Sequence, residues 1–234
     1  MMILRKANER GHVTTDWLDS WHTFSFGHYY DPRHMGFRAL RVINDDRVAP
    51  GKGFSKHPHN DMEIITYVLE GALKHEDSLG QSSTIKPGDV QRMSAGTGVI
   101  HSEWNASNKE PVHLLQIWIL PEKNHLPPSY EQASFSNEKL TDRLCLVASR
   151  SAEAGAITLQ QDASIFITKL TPGTEVQHAV PKTRHVWVHV AKGQVELNGT
   201  QLETGDGAGL SNEHTIRLKN VGKANAEVLL FELA

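Results

Sequence analysis

Two short stretches of the sequence carry side chains that bind transition metals, His57-Pro58-His59 and His101-Ser102-Glu103. On a β-strand, residues two apart project from the same face and lie roughly 6.5 to 7 Å apart. Imidazoles at this spacing can lean together and bind one ion through nitrogens about 2.0–2.1 Å from it. If the two strands face each other, three histidines and one glutamate converge on a single metal ion.

A His-x-His pair also arises by chance in a chain with 14 histidines, so it is a weak indication of a metal site by itself. The sequence between the two stretches supplies further support. Residues 62–69 and 112–120 have the β-branched and aromatic content of buried strands. Glycine-containing turns are predicted at residues 86–89 and 95–98. Short antiparallel strands joined by tight turns are expected to form a small β-barrel around the ligands.

The order of these features resembles a cupin. The first cupin motif, G-x5-H-x-H-x3-4-E-x6-G, is matched by Gly51, His57, His59 and Glu63, with Gly71 one residue late. The second motif, G-x5-P-x-G-x2-H-x3-N, is matched by Gly88, Gly96, His101 and Asn105. Ser94 stands in place of the proline, and two extra residues precede the histidine.

These departures, with DSWHTFSFGHYYDPRHMGF near the start and LPPSYEQ after the first domain, resemble the pirin family, most closely its bacterial quercetin 2,3-dioxygenases. The resemblance covers nearly the whole chain and is most specific over residues 19–105. It implies that the metal ligands are His57, His59, His101 and Glu103. Most other cupins use the first-motif glutamate, here Glu63. Strand alternation leaves both glutamates open, and the resemblance favours Glu103.

A weaker repeat of the pattern follows residue 136, where Gly193 and Gly205 echo Gly71 and Gly88. We therefore predict an all-β bicupin of two antiparallel β-barrels. The N-terminal metal-binding cupin domain is expected over residues 1–120, a linker over 121–136, and a C-terminal cupin domain over 137–234. The second domain is expected to lack a metal, because Val180 stands two residues after His178.

Composition excludes several classes of protein. The net charge is −3 and no basic cluster exceeds a pair, so direct binding to nucleic acid is not expected. Cys145 is the single cysteine, which excludes an intramolecular disulfide. The sequence contains no run of 18 apolar residues, the length that would indicate a membrane-spanning helix. We expect a cytoplasmic monomer.

The pirin resemblance implies a dioxygenase that opens the central ring of a flavonol such as quercetin with O2 and releases carbon monoxide. Glu103 would be both a ligand and the catalytic base that takes the proton of the flavonol 3-hydroxyl. An aromatic run over residues 17–30 is expected to pack in the core, although some of its rings could line a pocket for a flat substrate.

Imidazole and carboxylate ligands suit several divalent transition metals. Fe(II) is the first expectation and Cu the next, with Ni, Co, Mn or Zn also suited. A second class of function is a metal- or redox-responsive regulatory protein that binds a protein partner, since pirins include members with that role. A zinc-dependent sugar isomerase fits less well, because no Lys or Arg near the ligands is placed to hold a phosphate.

Overall fold

The computed structural model describes all 234 residues, and almost all of its regular structure is β-strand. A single four-residue α-helix, α1, spans Asn137–Leu140, and short 3-10 turns lie at Ala7–Glu9 and Glu153–Gly155. No helix has the length and apolar character needed to cross a bilayer. The strands are β1 (Met2–Arg5), β2 (Gly11–Thr14), β3 (Leu18–His22), β4 (Leu40–Val48), β5 (Gly53–His59), β6 (Glu63–Glu70), β7 (Leu73–Asp77), β8 (Ser82–Ile85), β9 (Asp89–Ser94), β10 (Val99–Asn105), β11 (Val112–Ile119), β12 (Ser129–Ser134), β13 (Cys145–Ser149), β14 (Ile157–Thr158), β15 (Ala163–Leu170), β16 (Glu175–Ala179), β17 (His185–Lys192), β18 (Gln194–Leu197), β19 (Thr200–Glu203), β20 (Gly207–Ser211), β21 (Thr215–Asn220) and β22 (Ala226–Leu233).

The chain divides into two compact units. The first unit comprises Gly11–Ser134 and Ile157–Gln161, and the second comprises Met1–Arg10, Phe135–Ala156 and Asp162–Ala234. Each unit contains a large and a small antiparallel sheet, so the predicted all-β class with two cupin-like barrels is confirmed.

The first unit pairs a sheet of order β12-β9-β6-β11-β4-β3-β2 with a sheet of order β5-β10-β7-β8. Its apolar core takes side chains from both sheets, among them Val68 and Leu114 from the larger and Leu73 and Ile85 from the smaller. Burial of these β-branched and aliphatic side chains holds the two layers together. The inner face of this sandwich also carries the predicted metal ligands.

In the second unit, strands β1-β20-β17-β22-β15-β13 follow one another in the large sheet, and β16-β21-β18-β19 form the small one. Its core includes Val188, Leu197, Leu218 and Leu230. An Asn-Gly hairpin turn joins β18 and β19. Asn198 and Gly199 have φ of 46° and 84°, as a type I′ turn requires.

Two segments near the expected domain borders form strands. Residues 2–5 pair with β20 of the second unit, with Ile3 opposite Gly209. Residues 129–134, inside the stretch expected to link the domains, pair with β9 of the first unit, with Tyr130 opposite Met93. Three prolines nearby give this stretch the composition of a linker, yet backbone pairing to a neighbouring strand needs no apolar side chains.

Candidate metal centre

Strands β5 and β10 bring three of the predicted ligands together. The strands pair antiparallel, and His101 lies directly opposite His57 while Val99 lies opposite His59. The ring centroids of His57 and His101 are 4.4 Å apart, and those of His59 lie 4.7 Å from His57 and 4.9 Å from His101. One nitrogen from each ring lies within 4.8 Å of the other two. The three imidazoles are thus close enough to share one metal ion.

The protonation of these rings suits metal binding. Nδ1 of His57 lies 2.7 Å from the carbonyl oxygen of Ser55, to which it donates, so Nε2 keeps its lone pair. Neither ring nitrogen of buried His101 has a hydrogen-bond partner in the protein. Burial lowers the pKa of His101 to about 2 and that of His59 to about 4, and a proton on His57 would act in the same direction. His59 and His101 are therefore neutral near pH 7 and able to donate an electron pair.

Glu103 lies on β10 beside His101, with 3 % of its surface exposed. The side-chain amide nitrogen of Gln116 donates to its carboxylate and lies 3.0 Å from each oxygen, and the hydroxyl of Thr66 lies 3.4 Å from Oε1. Burial raises the pKa of Glu103, while the Gln116 hydrogen bond opposes that rise. The result is a carboxylate held in a fixed orientation.

Glu63 lies away from the histidines. It belongs to β6 in the opposite sheet, and its Oε2 accepts a hydrogen bond from the backbone N–H of Gln160 at 3.1 Å. Strand alternation does not extend from His59 to Glu63, because β5 ends at His59 and the chain turns at Asp61, which has φ of 49°. Glu63 is in neither of the two groups of side chains placed to hold a metal.

His75 is a buried residue of the site that the sequence analysis missed. It lies on β7 directly opposite Glu103, and with His101 and Glu103 it forms a second group whose ligand atoms lie within 4.8 Å of one another. Its Nε2 is 3.0 Å from Oδ2 of Asp77, and its Nδ1 has no partner. The alternation of Leu73, His75 and Asp77 along one strand was the available signal.

The three histidines line a cavity. Its volume is about 750 Å³, which includes the space at its entrance. Phe54, Ile64 and Trp118 provide apolar walls, and the Trp118 and His59 rings meet edge to face with centroids 4.9 Å apart. All four predicted ligands line the cavity. Its lining also includes Val13, Leu18, Ser20, His22, Phe26, Gly27, His28, Asn44, Asp46 and Gln116.

The aromatic run of residues 17–30 divides between packing and the cavity. Phe26 lines the cavity, and its ring packs edge to face on Trp118 with centroids 5.3 Å apart. Trp17 packs against Phe54 beside the apolar core, and Trp21 stacks on His12 at 3.8 Å. Core and surface packing is thus the main role of the run, as expected.

Other histidines bind acidic side chains. Nε2 of His113 lies 2.6 Å from Oδ1 of Asp45, so this buried histidine of β11 is paired with an acid. In the second unit, Nε2 of His178 lies 2.7 Å from Oε2 of Glu232. Both groups of metal-binding side chains belong to the first unit.

Comparison with known proteins gives matches along the whole chain. The sequence profile described as Pirin matches residues 4–119, and the profile described as Quercetinase C-terminal cupin domain matches residues 146–233. A protein of Escherichia coli K12 named quercetin 2,3-dioxygenase is 48% identical over 233 residues, which covers 100% of this chain and 99% of that protein.

Solved structures agree with these sequence matches. The crystal structure of YhhW from Escherichia coli superposes with a TM-score of 0.95 at 48% identity, covering 100% of this chain and 98% of the other. A structure described as bacterial pirin YhhW from Escherichia coli in complex with nickel(II) superposes with a TM-score of 0.93 at 48% identity, covering 100% and 99%. A quercetin 2,3-dioxygenase of Acinetobacter baumannii is 26% identical, with a TM-score of 0.76 over 98% and 84% of the chains.

Proposed function

Because the chain belongs to the pirin family, we propose that it is a metal-dependent dioxygenase that opens the central ring of a flavonol such as quercetin. In this reaction both atoms of O2 enter the product, and carbon 3 of the flavonol leaves as carbon monoxide. The relative from Escherichia coli carries the name of this activity.

The donor set fits a divalent transition metal. His101 is 2 % exposed and both its ring nitrogens lack a partner in the protein, an arrangement that costs free energy unless an ion or hydrogen-bonding group satisfies it. We propose His57, His59, His101 and Glu103 as the ligands. Three imidazoles and one carboxylate suit Fe(II), which we place first, and also Ni(II), the ion in the solved relative. When bound, the ion supplies Lewis acidity and redox chemistry towards O2.

The protein's own part in the reaction is to place the flavonol and remove its proton. The apolar rings of Phe26, Phe54 and Trp118 can hold a flat aromatic substrate in the cavity and keep bulk water away. Glu103 is the carboxylate beside the histidines, and burial makes it more basic than an exposed glutamate. It accepts the proton of the flavonol 3-hydroxyl, and Gln116 keeps it oriented for that transfer.

The single observation that carries this proposal is a pair of metal-binding groups that share His101. His57 and His59 complete one group and Glu103 belongs to the other, and all four side chains line the same aromatic-walled cavity. The test is carbon monoxide release when metal-loaded protein is mixed with quercetin in air. We expect release with the wild type and none with His101→Ala. No release from fully loaded wild-type protein would contradict the proposed activity.

A regulatory function is the second candidate, and the outer face of β10 favours it. Ile100 and Trp104 lie on the strand that carries His101 and Glu103, and they are 49% and 41% exposed. A partner protein that contacts these side chains would sense a shift of β10 caused by the metal. Loss of partner binding on metal removal, with Trp104→Ala as a matched disruption, would support this candidate over the enzyme.

A further inference from the structure

A row of buried polar side chains lies on the cavity wall formed by β3 and β4. Ser20 and His22 of β3 lie directly opposite Asp46 and Asn44 of β4, and all four line the cavity. Each is at most 5% exposed. Since none of them belongs to the two groups placed to hold a metal, the row is a polar feature separate from the metal ligands.

Hydrogen bonds link three members of the row, with His22 donating to Ser20 and Ser20 donating to Asp46. The hydroxyl of Ser20 donates to Oδ1 of Asp46. With its hydrogen committed, Ser20 Oγ accepts from Nε2 of His22, 2.8 Å away. In a nucleophilic triad the histidine lies between the serine and the acid. Here the serine lies between them, so Ser20 and His22 orient Asp46 and do not form a nucleophile.

The fourth member of the row lacks a partner for its acceptor. Asn44 is 3 % exposed, it lines the cavity, and its side-chain oxygen has no hydrogen-bond partner in the protein. On the neighbouring wall, the indole nitrogen of Trp118 also has none. A buried polar group left unpaired costs about 1–3 kcal/mol. The cavity thus offers a ligand one free acceptor and one free donor.

We propose that Asn44 and Asp46 form a second binding site in the cavity, which binds hydroxyl groups of a polyhydroxylated aromatic substrate. Asn44 accepts a hydrogen bond from one substrate hydroxyl, Asp46 binds a second, and Trp118 donates to a substrate oxygen. Ser20 and His22 are positioning residues for Asp46. The inference rests on the proposed function in naming a flavonol as the substrate.

Burial supports the assignment of Asp46 to ligand binding. It raises the pKa of Asp46 to about 7, with the Ser20 hydrogen bond opposing the rise. A carboxyl group buried at this energetic cost is explained by a partner that compensates it. A phenolic hydroxyl can donate to the ionised form and accept from the protonated form, so it pairs with Asp46 in either state.

The experiment compares two flavonols that differ in ring hydroxyls. Quercetin carries hydroxyls on both outer ring systems, whereas 3-hydroxyflavone keeps only the hydroxyl next to the ketone. Their dissociation constants are measured by isothermal titration calorimetry on metal-free protein, which removes catalysis from the readout. Asn44→Leu should weaken quercetin binding about 10- to 100-fold and change 3-hydroxyflavone binding less than about threefold.

Two further variants keep the test decisive. Ser20→Ala removes the support of Asp46 with a small change in volume, and it should weaken quercetin selectively, though less than Asn44→Leu. Asp45→Asn changes the neighbouring acid on β4, which pairs with His113, and both dissociation constants should stay unchanged. Equal losses for the two flavonols in Asn44→Leu and Ser20→Ala would overturn the site.

Failure of this inference is distinguishable from failure of the proposed function. Selective binding of quercetin that depends on Asn44, without carbon monoxide release, would overturn the proposed chemistry and leave the binding site standing. Carbon monoxide release with equal affinity for the two flavonols would overturn the binding site alone. Absence of binding by either flavonol, with nickel(II)-loaded protein as well, would overturn both.

Discussion

The side-chain amide nitrogen of Gln116 lies 3.0 Å from both carboxyl oxygens of Glu103. The two residues belong to opposite sheets of the first unit, β11 and β10, so the hydrogen bonds span the sandwich. A carboxylate held in this way has little freedom to turn from the neighbouring histidines. Orientation of a ligand by such an outer contact is commonly worth 10- to 100-fold in metal affinity or activity.

Replacing Gln116 by Met therefore should weaken metal binding about tenfold or more, because Met fills the volume without donating a hydrogen bond. Affinity is measured by competition with a chromogenic chelator. Gln132→Met is the matched control, since Gln132 contacts Tyr130 and Asp89 instead. Equal affinities for the two variants would show that the Gln116 contact does not orient a ligand.

Glu103→Gln separates the two roles proposed for Glu103. Glutamine keeps a ligand oxygen but is not a base, so much of the metal should remain bound while turnover of quercetin falls about 10²- to 10⁴-fold. Metal content by mass spectrometry and carbon monoxide release report the two roles separately. Glu76→Gln, at an exposed acid paired with Lys74, should leave both unchanged. Full turnover in Glu103→Gln would exclude the base role.

Metal content tests the proposed histidine ligands one by one. His57→Ala, His59→Ala and His101→Ala should each lose most of the bound metal, because a site with one ligand fewer binds the ion more weakly. His113→Ala removes a buried histidine that binds Asp45 instead, and its metal content should match the wild type. Retention of metal by all three cavity variants would place the ion elsewhere.

Because the pKa of Asp46 is raised in the fold, we expect it to make the stability of the protein depend on pH. Its pKa of about 7 in the fold exceeds the ordinary value of 3.8, so between these values the folded chain binds the proton more tightly than the unfolded chain. The contribution of Asp46 to the free energy of unfolding therefore falls as pH rises from 4 to 7. Asp46→Asn removes the penalty, so metal-free Asp46→Asn should exceed the wild type by up to about 4 kcal/mol at pH 8, with the difference shrinking towards pH 4.

Urea unfolding of both metal-free proteins between pH 5 and 8 measures this difference. Asp31→Asn is the control, because the pKa of Asp31 is shifted in the opposite direction from that of Asp46. The hydrogen bonds of Arg33 lower the pKa of Asp31 to about 2, so its ionisation is complete throughout this range and its variant should show a constant offset. A constant offset for Asp46→Asn as well would mean that Asp46 is already ionised at pH 5.

The surroundings of Gly71 lead us to expect that a side chain at this position lowers the free energy of unfolding. Gly71 and Gly80 have similar positive φ, 78° and 85°, so alanine at either position is strained by about 1–2 kcal/mol. A Cβ at Gly71 would also lie 2.8 Å from the carbonyl oxygen of Pro111, whereas at Gly80 nothing lies within 4 Å. Gly71→Ala should thus lower the free energy of unfolding more than Gly80→Ala by about 1–3 kcal/mol, as measured in urea. Equal losses would show that Pro111 moves freely.

The strands of the first unit were predictable where periodicity and turn residues agree. Residues 112–120 and 62–69 carry the apolar content that buried strands need, and β11 and β6 form there. Strand β12 was missed because it lies in polar sequence after several prolines, and its pairing to β9 depends on backbone groups. Pairing of β1 with β20 joins segments far apart in the sequence, which local patterns do not report.

The site was partly predictable for a similar reason. Two-residue spacing identified the pairs His57 with His59 and His101 with Glu103. The pirin resemblance then favoured Glu103 over Glu63 as the carboxylate ligand. Alternation could not choose between Glu63 and Glu103, because the choice depends on the turn at Asp61. The row of buried polar side chains that includes Asn44 and Asp46 could not be predicted from the sequence, because it forms only when β3 and β4 pair.

Strand β1 and its partner β20 have a consequence for how the protein is made. Ile3 pairs with Gly209, more than 200 residues later in the chain. At a synthesis rate of roughly 5–20 residues per second, β1 leaves the ribosome about 10–40 s before β20 exists. The first unit can close during that interval, while the second must wait for the last strands to emerge. The first unit is therefore expected to fold before the second, and β1 is expected to be among the last strands to pair.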